Sequence, residues 1–563
     1  MENRPWHQSY PKHVPHEIDS KRYSSVVDLI DQNLKKYASL PAYVNMDKAL
    51  TFGEIDRQSN HFANYLQSLG LQKGDRIALQ MPNVLQYPVI LFGAIRAGLI
   101  IVNTNPLYTA REMAHQFNDS GAKAIVILSN FADKLEKILS ETQIKHVVIT
   151  RIGDMLGAVK GTIVNFVIKN VRKMEPSYHI KGAVPFKKAL AIGAKTNYKR
   201  PTISGSDVGF LQYTGGTTGV SKGATLTHSN IVANMLQIAH WIGGDLKEGK
   251  EIIITALPLY HIFAFTVNCL SMLHFGAKNI LITNPRDMPA FLKELNKHPF
   301  SVFTGVNTLF NGLMNQADIA SVNFSHLKIA VGGGMAVQVA VNDRWKQLTG
   351  KPIIEGYGLS ETSPVLSVNP TDGTDRIGTI GLPVSSTDLA IMDDDGNPLP
   401  VGERGEICAR GPQVMQGYWG RPDETDRVFH PGGWFRTGDI GIMEPDGFFR
   451  IVDRKKDMIL VSGFNVYPNE VEDVVAHHPG VLEVAALGVP DDKSTEAVKI
   501  FVVKKDPNLT AEALIKHCKE NLAGYKVPKH VEFRDELPKS NVGKIIRRML
   551  RDEVPAERVQ EKA

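Results

Sequence analysis

Helix-like and strand-like hydrophobic patterns alternate along most of this chain, and this alternation limits the folds open to it. Residues 76–81 have a strand pattern, a helix pattern ends at Gly98, and Thr109-x-x-Glu112 is a capping box that precedes the next strand pattern at 124–128. The alternation resumes between residues 252 and 350. Strands connected through helices pair in parallel, so we predict an α/β protein with two successive α/β layers on mostly parallel sheets.

The C-terminal part of the chain has a different organisation. Between residues 376 and 452 helix patterns are missing, and the turn signals Asp395-Gly-Asn, Gly432-Gly433 and Asp446-Gly447 separate short apolar runs. This pattern predicts a β-rich subdomain. Helix and strand patterns alternate again after it, over a length that suits a small separate α+β domain.

Composition narrows the classes of function. The chain has 563 residues, of which 43% are hydrophobic and 22% charged, and its 64 Lys and Arg only slightly outnumber its 59 Asp and Glu, so nucleic-acid binding is not indicated. Cys269, Cys408 and Cys518 lie far apart, which argues against a disulfide framework or a zinc site. The N-terminus lacks the apolar core of a secretory signal, and the longest apolar tract, residues 87–102, is shorter than the ~20 residues of a membrane span. We therefore expect a cytoplasmic protein.

One segment, residues 157–174, departs from the α/β pattern. Its apolar residues can share one helical face and its basic residues lie elsewhere, which is the composition of an interfacial membrane helix. The apolar residues are Ile163, Val164, Val167, Ile168 and Val171, and the basic ones are Lys160, Lys169, Arg172 and Lys173. The alternative, a surface helix packed on its own protein, is favoured by the usual behaviour of amphipathic helices.

The stretch Tyr213-Thr-Gly-Gly-Thr-Thr-Gly-Val-Ser-Lys-Gly223 is rich in glycine and hydroxyl groups. Backbone N–H groups, threonine hydroxyls and the Lys222 ammonium could together wrap a polyphosphate. The stretch is not an ordinary P-loop, because Val220 and Ser221 separate Gly219 from Lys222. A surface turn of the same composition remains the alternative at this point.

Two later segments carry carboxylates next to glycines. In Glu355-Gly-Tyr-Gly-Leu-Ser-Glu361, the tyrosine ring can stack on a purine, the Ser360 hydroxyl can reach a phosphate and Glu361 offers hard oxygen ligands to Mg²⁺. In Trp434-Phe-Arg-Thr-Gly-Asp439, the carboxylate can accept hydrogen bonds from both ribose hydroxyls. Taken singly, each of these carboxylates is as well explained by a turn or a helix cap.

Five segments together resemble the acyl-adenylate-forming superfamily, which includes acyl-CoA synthetases, peptide-synthetase adenylation domains and beetle luciferases. Residues 213–223, 356–361, 437–439, 453–457 and 538–544 match its motifs in order and approximate spacing over nearly the whole chain. Within it, the tract 432–456, Pro258-Leu-Tyr-His261 and Leu460-Val-Ser-Gly-Phe-Asn-Val-Tyr-Pro468 are most similar to bacterial long-chain fatty acid–CoA ligases. This resemblance, and not the composition, selects the substrate class.

The resemblance implies a two-step reaction. ATP, with Mg²⁺, converts a fatty acid to an acyl adenylate and pyrophosphate, and CoA then displaces AMP to give a thioester. It also implies a large N-terminal adenylation domain, residues 1–452, a hinge at 453–458 around Asp453, and a small mobile C-terminal domain, residues 459–563. Lys544 on that small domain is expected to bridge the fatty carboxylate and the α-phosphate, which suits a compact ammonium.

The resemblance also implies roles for individual residues. The expected catalytic residues are Lys544, Glu361 and His261, and the expected Mg²⁺ ligands are Thr214 and Glu361. Nucleotide and CoA are expected to contact Tyr213, Thr214, Gly215, Gly216, Thr217, Thr218, Gly219, Lys222, Gly333, Gly334, Glu355, Gly356, Tyr357, Gly358, Ser360, Asp439, Arg454, Lys456 and Gly463. The acyl chain is expected to contact His261, Ile262, Phe263, Phe265, Gly305, Val306, Pro364 and Val365.

Three positions depart from the patterns of relatives. Phe265 stands where a long-chain relative has a gating tryptophan, Leu460 where several have a lysine, and Ser360 where threonine is commoner. These departures concern gating and the CoA side, not the reaction. The residue patterns also leave rivals: a medium-chain or aryl acid–CoA ligase, a non-catalytic nucleotide or fatty-acid binding protein, and a P-loop ATPase. Peripheral association with the inner face of the cell membrane and a homodimer are further hypotheses.

Overall fold

The structure, a computed structural model, describes residues 4–214, 221–454, 457–462, 464–491, 494–540 and 543–553, with the backbone alone at 453, 454 and 465. Its α-helices of eight residues or more span Val26–Lys36, Phe52–Ser68, Gln86–Arg96, Ala110–Ser120, Ala158–Phe166, Phe186–Gly193, His228–Ile242, Met288–Lys297, Asn307–Met314, Val339–Thr349, Pro468–Ala476 and Ala511–Asn521. Shorter α-helices span Ala132–Ile138, Ile262–Ala264, Met272–His274, Pro422–Asp426 and Arg547–Asp552, and π-helical turns span Val167–Val171 and Phe265–Ser271.

A nine-stranded sheet, here called the first sheet, forms one large layer. Its central strands are parallel, and the last two strands at one edge and the last at the other are antiparallel. In spatial order the strands are Leu382–Pro383, Val365–Val368, Ile353–Gly358, Ile329–Gly333, Val302–Gly305, Ile252–Thr255, Lys278–Leu281, Pro41–Asn45 and Lys48–Thr51.

An eight-stranded sheet, the second sheet, forms the other large layer and is again mostly parallel. Its order is Gly417–Tyr418, Lys222–Thr227, Val208–Thr214, Ile100–Asn103, Arg76–Gln80, Ala124–Leu128, His146–Thr150 and Val184–Pro185. The strands Val208–Thr214 and Lys222–Thr227 pair antiparallel, with Thr214 opposite Lys222.

Two smaller sheets complete the fold. The third consists of Asp388–Met392, Gly405–Arg410, Trp434–Met443, Phe429–His430 and Phe449–Arg454, all antiparallel. The fourth, near the C-terminus, consists of Phe464–Val466, Ile459–Val461, Thr495–Lys504, Val481–Asp491 and His530–Arg534. The fourth sheet has its own apolar core around residues such as Val471, Ile500 and Leu514, as expected for a separate small domain.

Local sequence signals explain several helix starts. Thr109 and Glu112 form the predicted capping box, and the Ser25 side chain accepts a hydrogen bond from the Asp28 N–H at the start of the first long helix. Thr227 and Asn230 also form a reciprocal cap, directly after the strand Lys222–Thr227. These caps satisfy N–H groups that have no partner within the helix. Each cap therefore fixes the residue at which its helix begins.

The predicted α/β class is confirmed, with mixed sheets in a large N-terminal part and a small C-terminal part. The prediction that residues 376–452 contain no helix is wrong, because Pro422–Asp426 is a short helix that starts with a proline and two acidic residues. The two large sheets are also not built from two separate, consecutive parts of the chain, as was predicted. The early strands Pro41–Asn45 and Lys48–Thr51 join the first sheet, whereas Gly417–Tyr418 reaches back to the second.

The segment 157–174 is helical and leaves most of its large apolar side chains exposed. A regular helix, Ala158–Phe166, continues as a π-helical turn, Val167–Val171. Its exposed large apolar residues are Val159, Ile163, Phe166, Val167, Val171 and Met174. The helix packs on its own protein through Gly161, Val164 and Asn165, as the favoured expectation has it, but most of its large apolar side chains face outward. Within the described residues, no helix is long and apolar enough to cross a membrane.

Candidate active site

A deep cleft lies where the ends of the strands in the first and second sheets face the third sheet and the C-terminal domain. Its empty volume, open to solvent, is about 4780 Å³. Residues from all of these parts line it, among them Thr214, Glu355, Asp439 and Lys544. In open α/β sheets such crevices at strand ends are the usual binding sites, so the cleft is the candidate active site.

Tyr357 and Asp439 are directly bonded on one wall of this cleft. The Tyr357 hydroxyl donates a hydrogen bond of 2.6 Å to Oδ2 of Asp439, and both residues are buried. The Asp439 N–H donates to the Thr437 hydroxyl, and in the strand pairing Asp439 lies opposite Arg454. The sequence linked these residues only through the family resemblance. In the fold they meet because the strand Ile353–Gly358 of the first sheet lies beside the strand Trp434–Met443 of the third sheet.

Glu355 lies one residue before Gly356, within the strand Ile353–Gly358 of the first sheet. Its carboxylate accepts a hydrogen bond of 3.3 Å from the Val337 N–H, and burial raises its pKa to about 8. A Cβ on neighbouring Gly333 would come within 3.0 Å of the Gly356 carbonyl oxygen, so the two strands approach closely here. The Glu355 carboxyl is therefore mostly protonated at neutral pH and can donate a hydrogen bond into the cleft.

The residues around the end of the glycine-rich stretch form a polar cluster. Lys222 forms an ion pair with Glu424, and its Nζ lies 5.1 Å from the centre of the Tyr418 ring. The hydrogen bond to Lys222 lowers the pKa of Glu424. The Tyr213 hydroxyl donates 2.7 Å to Asp119, which also pairs with Arg421 at 2.7 Å.

Glu361 is held by the same cluster. Its Oε1 accepts a hydrogen bond of 2.8 Å from the Tyr418 hydroxyl, and its backbone carbonyl accepts one of 2.7 Å from the Met415 N–H. The described residues contain no group of three or more His, Cys, Asp and Glu side chains arranged to hold a metal. A carboxylate such as that of Glu361 fits Mg²⁺, which typically takes one or two carboxylates together with substrate phosphates and water.

Lys544 enters the cleft from the C-terminal domain. A Cβ built on Gly334, which has φ +81°, would lie 3.0 Å from Cε of Lys544, so the glycine leaves room for the lysine stem. The Thr308 hydroxyl donates 2.8 Å to the carbonyl of Gly543, and the Asn311 amide donates 2.8 Å to that of Leu482. The first of these neutral hydrogen bonds holds the loop of Lys544 against the N-terminal domain, and the second holds a strand of the fourth sheet there.

His261 lies beside Lys544. Its Nδ1 accepts a hydrogen bond of 3.3 Å from the Phe263 N–H at the start of a short helix. Burial, and secondarily the Lys544 ammonium, lower the pKa of His261 to about 3. The imidazole is thus neutral at physiological pH and adds no second positive charge beside Lys544.

A small, mainly apolar cavity opens beside these residues. Of the residues expected to contact an acyl chain, His261, Ile262, Phe263, Pro364 and Val365 line it, as do Gly333, Gly334 and Gly356 to Ser360. Sequence reasoning missed the wall formed by Ile238, Trp241 and Ile242 of the helix His228–Ile242. The spacing of these three residues places them on one face of the helix, but an apolar face of this kind equally indicates a helix packed against the core.

The structure does not place three other expected residues on the cavity wall. Phe265 is fully buried with its ring 4.7 Å from that of Phe210, and Gly305 faces the Phe310 ring. Val306 lies near Gly334 and Gly543, beside the lysine loop. The expected residues Gly215, Gly216, Thr217, Thr218, Gly219, Lys456 and Gly463, and the side chains of Asp453 and Arg454, lie outside the described part of the structure.

Comparison with known proteins gives the family. Residues 30–419 match the AMP-binding enzymes and residues 470–544 match the AMP-binding enzyme C-terminal domain. A long-chain-fatty-acid–CoA ligase of Escherichia coli O6:H1 is 58% identical over 549 residues, which are 97% of this chain and 98% of that protein. One of Haemophilus influenzae is 54% identical over 558 residues, 98% of this chain and 99% of that protein.

A solved structure agrees in fold over almost the whole length. An anthranilate CoA ligase in complex with anthranoyl-AMP matches with a TM-score of 0.84 and 26% identity, covering 95% of this chain and 99% of that one. The resemblance inferred from the motifs is thereby confirmed. This chain belongs to the AMP-binding enzyme family, among the relatives of the long-chain-fatty-acid–CoA ligases.

Proposed function

We propose that this protein activates long-chain fatty acids to acyl-CoA in an ATP-dependent reaction that passes through an acyl adenylate and releases AMP and pyrophosphate. One observation carries the proposal: Lys544 lines both the polar cleft and the apolar cavity beside it. A fatty acid in the cavity and ATP in the cleft would meet at this ammonium. The highly identical relatives, which are long-chain-fatty-acid–CoA ligases, support the same substrate class.

In the first step, a carboxylate oxygen of the fatty acid bonds to the α-phosphorus of ATP, and the bond from that phosphorus to pyrophosphate breaks. No proton needs to move, because the attacking and leaving groups are both anions. The Lys544 ammonium offsets the negative charge that the two reactants bring together, and such preorganised charge is commonly the largest catalytic contribution. His261 lines the mouth of the cavity. Because its imidazole is neutral, it does not compete with Lys544 for an ion pair with the fatty carboxylate.

The remaining cleft residues hold the nucleotide. Tyr357 would bind the adenine, Asp439 the ribose, and protonated Glu355 would donate a hydrogen bond to an acceptor of the nucleotide. Lys222 would exchange its ion pair with Glu424 for one with the terminal phosphates. Mg²⁺, bound through Glu361, Thr214 and the phosphates, would supply charge neutralisation for the pyrophosphate leaving group.

In the second step, the CoA sulfur bonds to the acyl carbon, the bond from that carbon to the AMP oxygen breaks, and the thiol proton passes to solvent. We propose that the C-terminal domain, residues 459–563, turns about the hinge at 453–458 so that Lys544 leaves and the pantetheine can enter. Asp453 lies at the end of a strand, opposite Ile440, where a change of backbone angles disrupts little pairing. The few neutral hydrogen bonds at Thr308 and Asn311 would break at modest cost.

A chain-length series with a CoA-omission control tests this function. Acids from octanoate to oleate, and benzoate and ferulate as aryl acids, are incubated with ATP and Mg²⁺, and pyrophosphate, AMP and phosphate are quantified with and without CoA. We expect pyrophosphate and AMP with long-chain acids, and thioester only when CoA is present. Preference for the aryl acids would favour the aryl-ligase alternative, and phosphate without AMP would indicate an ATPase.

We also propose that the enzyme associates with the inner face of the cell membrane through the exposed apolar face of segment 157–174. Four large apolar side chains of this segment are 57–76% exposed: Val159, Ile163, Phe166 and Val171. They follow one another at intervals of four, three and five residues, so they lie near one face of the helix. Gly161 and Asn165, on the other side, contact Gly153, and so fix the helix to the protein with this face outward. Apolar patches of this kind on a soluble surface mark interaction sites.

The charges beside this face suit an anionic bilayer. Lys160, Lys169, Arg172 and Lys173 flank it, although Lys160 and Lys169 also contact Asp47 and Glu175. Basic residues near a membrane surface contribute about 1 kcal/mol each in attraction to anionic lipid. The source of the substrate is the same bilayer, since long-chain acids partition into lipid.

Vesicle flotation tests the membrane proposal. We expect the enzyme to float with phosphatidylcholine vesicles that contain phosphatidylglycerol, and the double variant Ile163→Ser, Phe166→Ser to float several-fold less. Val401→Ser, which removes an apolar side chain that is 47% exposed elsewhere, serves as the matched control. Equal flotation of the double variant and the parent would refute this role of the segment.

A further inference from the structure

We infer that Trp241 is the closed end of the acyl cavity and sets the longest fatty acid that the enzyme accepts efficiently. The inference rests on the proposed function and adds the residue that determines chain length. It depends on which residues mark the two ends of the cavity, on what lies behind the indole, and on how firmly the indole is held.

The mouth and the interior of the cavity can be distinguished by their lining. His261, Gly334, Tyr357 and Lys544 line both the cavity and the nucleotide cleft, so they mark the mouth where the carboxylate must react. Other residues line the cavity alone and therefore mark its interior. They include Ile238, Trp241 and Ile242 on one helix and Val365 and Val368 on a strand of the first sheet.

Packed protein lies behind the Trp241 indole. The Tyr10 ring packs edge-on against it, with ring centres 5.2 Å apart and an interplanar angle of 82°. His13 and Thr371 contact its backbone carbonyl, at 3.2 and 3.5 Å. The N-terminal segment thus covers the outer side of the helix end, and an acyl chain that reaches the indole has no open space beyond it.

The indole is also held in place. Its Nε1–H donates a hydrogen bond of 3.0 Å to the Asn369 carbonyl, and the whole residue is buried. Swinging the ring aside would break this bond and leave a buried donor and acceptor unpaired. Trp241 is therefore a fixed wall, in contrast to an aromatic gate that rotates to admit substrate.

A fixed wall predicts a chain-length profile with a limit. Each methylene that enters the apolar cavity favours binding by about fourfold, so kcat/KM should rise with chain length until the terminal methyl reaches the indole. Longer chains cannot bury their extra methylenes, and strain at the wall lowers their kcat/KM.

Replacing the indole by a smaller side chain tests the inference. For Trp241→Leu we expect the ratio of kcat/KM for docosanoate to that for palmitate to rise at least tenfold, with each acid kept below its critical micelle concentration. Trp345→Leu is the matched control, because it removes a fully buried indole from an aromatic cluster around Phe303 and Phe310. This control should leave the ratio within twofold of the parent.

A second variant acts in the opposite direction and does not depend on Trp241→Leu folding. Ile238→Trp, one turn earlier on the same helix face, should shorten the cavity. The ratio of kcat/KM for dodecanoate to that for palmitate should then rise at least tenfold. An unchanged chain-length ratio in folded Trp241→Leu or in folded Ile238→Trp would overturn the inference. If no acid of any length gave pyrophosphate with the parent enzyme, the proposed function itself would fail, which is a distinct result.

Discussion

The Tyr418 side chain contacts Glu361 and Lys222 at once. Its hydroxyl donates a hydrogen bond of 2.8 Å to Oε1 of Glu361, and its ring faces the Lys222 ammonium at 5.1 Å. Tyr418 is itself held by pairing with Ala224 at the edge of the second sheet. One tyrosine therefore joins the carboxylate proposed to bind Mg²⁺ to the lysine proposed to bind phosphate.

Removing the Tyr418 hydroxyl should weaken Mg²⁺ binding in the presence of ATP. A hydrogen bond to a charged group contributes about 1.5–3 kcal/mol, so we expect Tyr418→Phe to raise the half-saturating Mg²⁺ concentration about tenfold, while saturating Mg²⁺ restores kcat. The rise in melting temperature caused by MgATP should shrink in parallel. Tyr178→Phe, outside the cleft, is the control, and a loss of kcat that excess Mg²⁺ does not restore would contradict this role.

Removing the Glu424 charge should strengthen ATP binding. Glu424 forms an ion pair with Lys222, so a phosphate that binds this lysine must displace the carboxylate. Because both groups are partly exposed, the effect is small, and we expect Glu424→Gln to lower the KM for ATP about two- to fivefold. The exposed Glu403→Gln is a charge-matched control. A higher KM for ATP in Glu424→Gln would instead show that Glu424 positions the lysine.

Lys544→Ala should block the first step and spare the second. Loss of a preorganised positive charge at the reacting phosphate should lower acid-dependent pyrophosphate formation at least about 100-fold. The same variant, given preformed acyl adenylate and CoA, should form thioester at close to the parent rate, since the lysine must leave before the thiol enters. Exposed Lys505→Ala is the control, and equal loss in both steps would contradict a role confined to adenylation.

Glu355→Gln should change how stability depends on pH. Burial raises the pKa of Glu355 to about 8, above that of the same group in the unfolded chain, so the folded state binds the extra proton. The parent therefore loses stability relative to the glutamine variant as pH rises from about 5 to about 8, by at most about 1.4 kcal/mol per pH unit. Melting temperatures of the two proteins across this range check the sign. A constant difference would show that the carboxyl is not titrating there.

The elements with strong local signals were predicted well. The strand 124–128 was found with its bounds, and Thr109 and Glu112 cap the next helix upstream as expected. The helix Pro422–Asp426 was missed because five residues in a turn-rich region give no periodicity. Nor could the sequence show that strands near Pro41 and Gly417 join distant sheets, because pairing partners depend on the path of the whole chain.

The site was predicted in part. Asp439, Tyr357, Lys544 and His261 meet in one cleft, as the motifs implied. Tyr418 and Glu424 were missed, since a tyrosine and a glutamate in a charged turn carry no signal until the strand Gly417–Tyr418 pairs beside Lys222. Trp241 was missed for a related reason: apolar residues on one helix face look alike whether they face a core or a cavity.

What the sequence by itself determined is the chemistry and the class of fold. Five short motifs in the order of a known family imply a nucleotide-handling enzyme by resemblance, and alternating periodicity predicts α/β layers. Both can be found in the sequence because each motif and each period is local in the chain. The tertiary structure decided which faces are covered. It left the apolar side of residues 157–174 exposed and turned Trp241 towards a cavity, since burial depends on where distant segments, such as the N-terminal residues around Tyr10, come to lie.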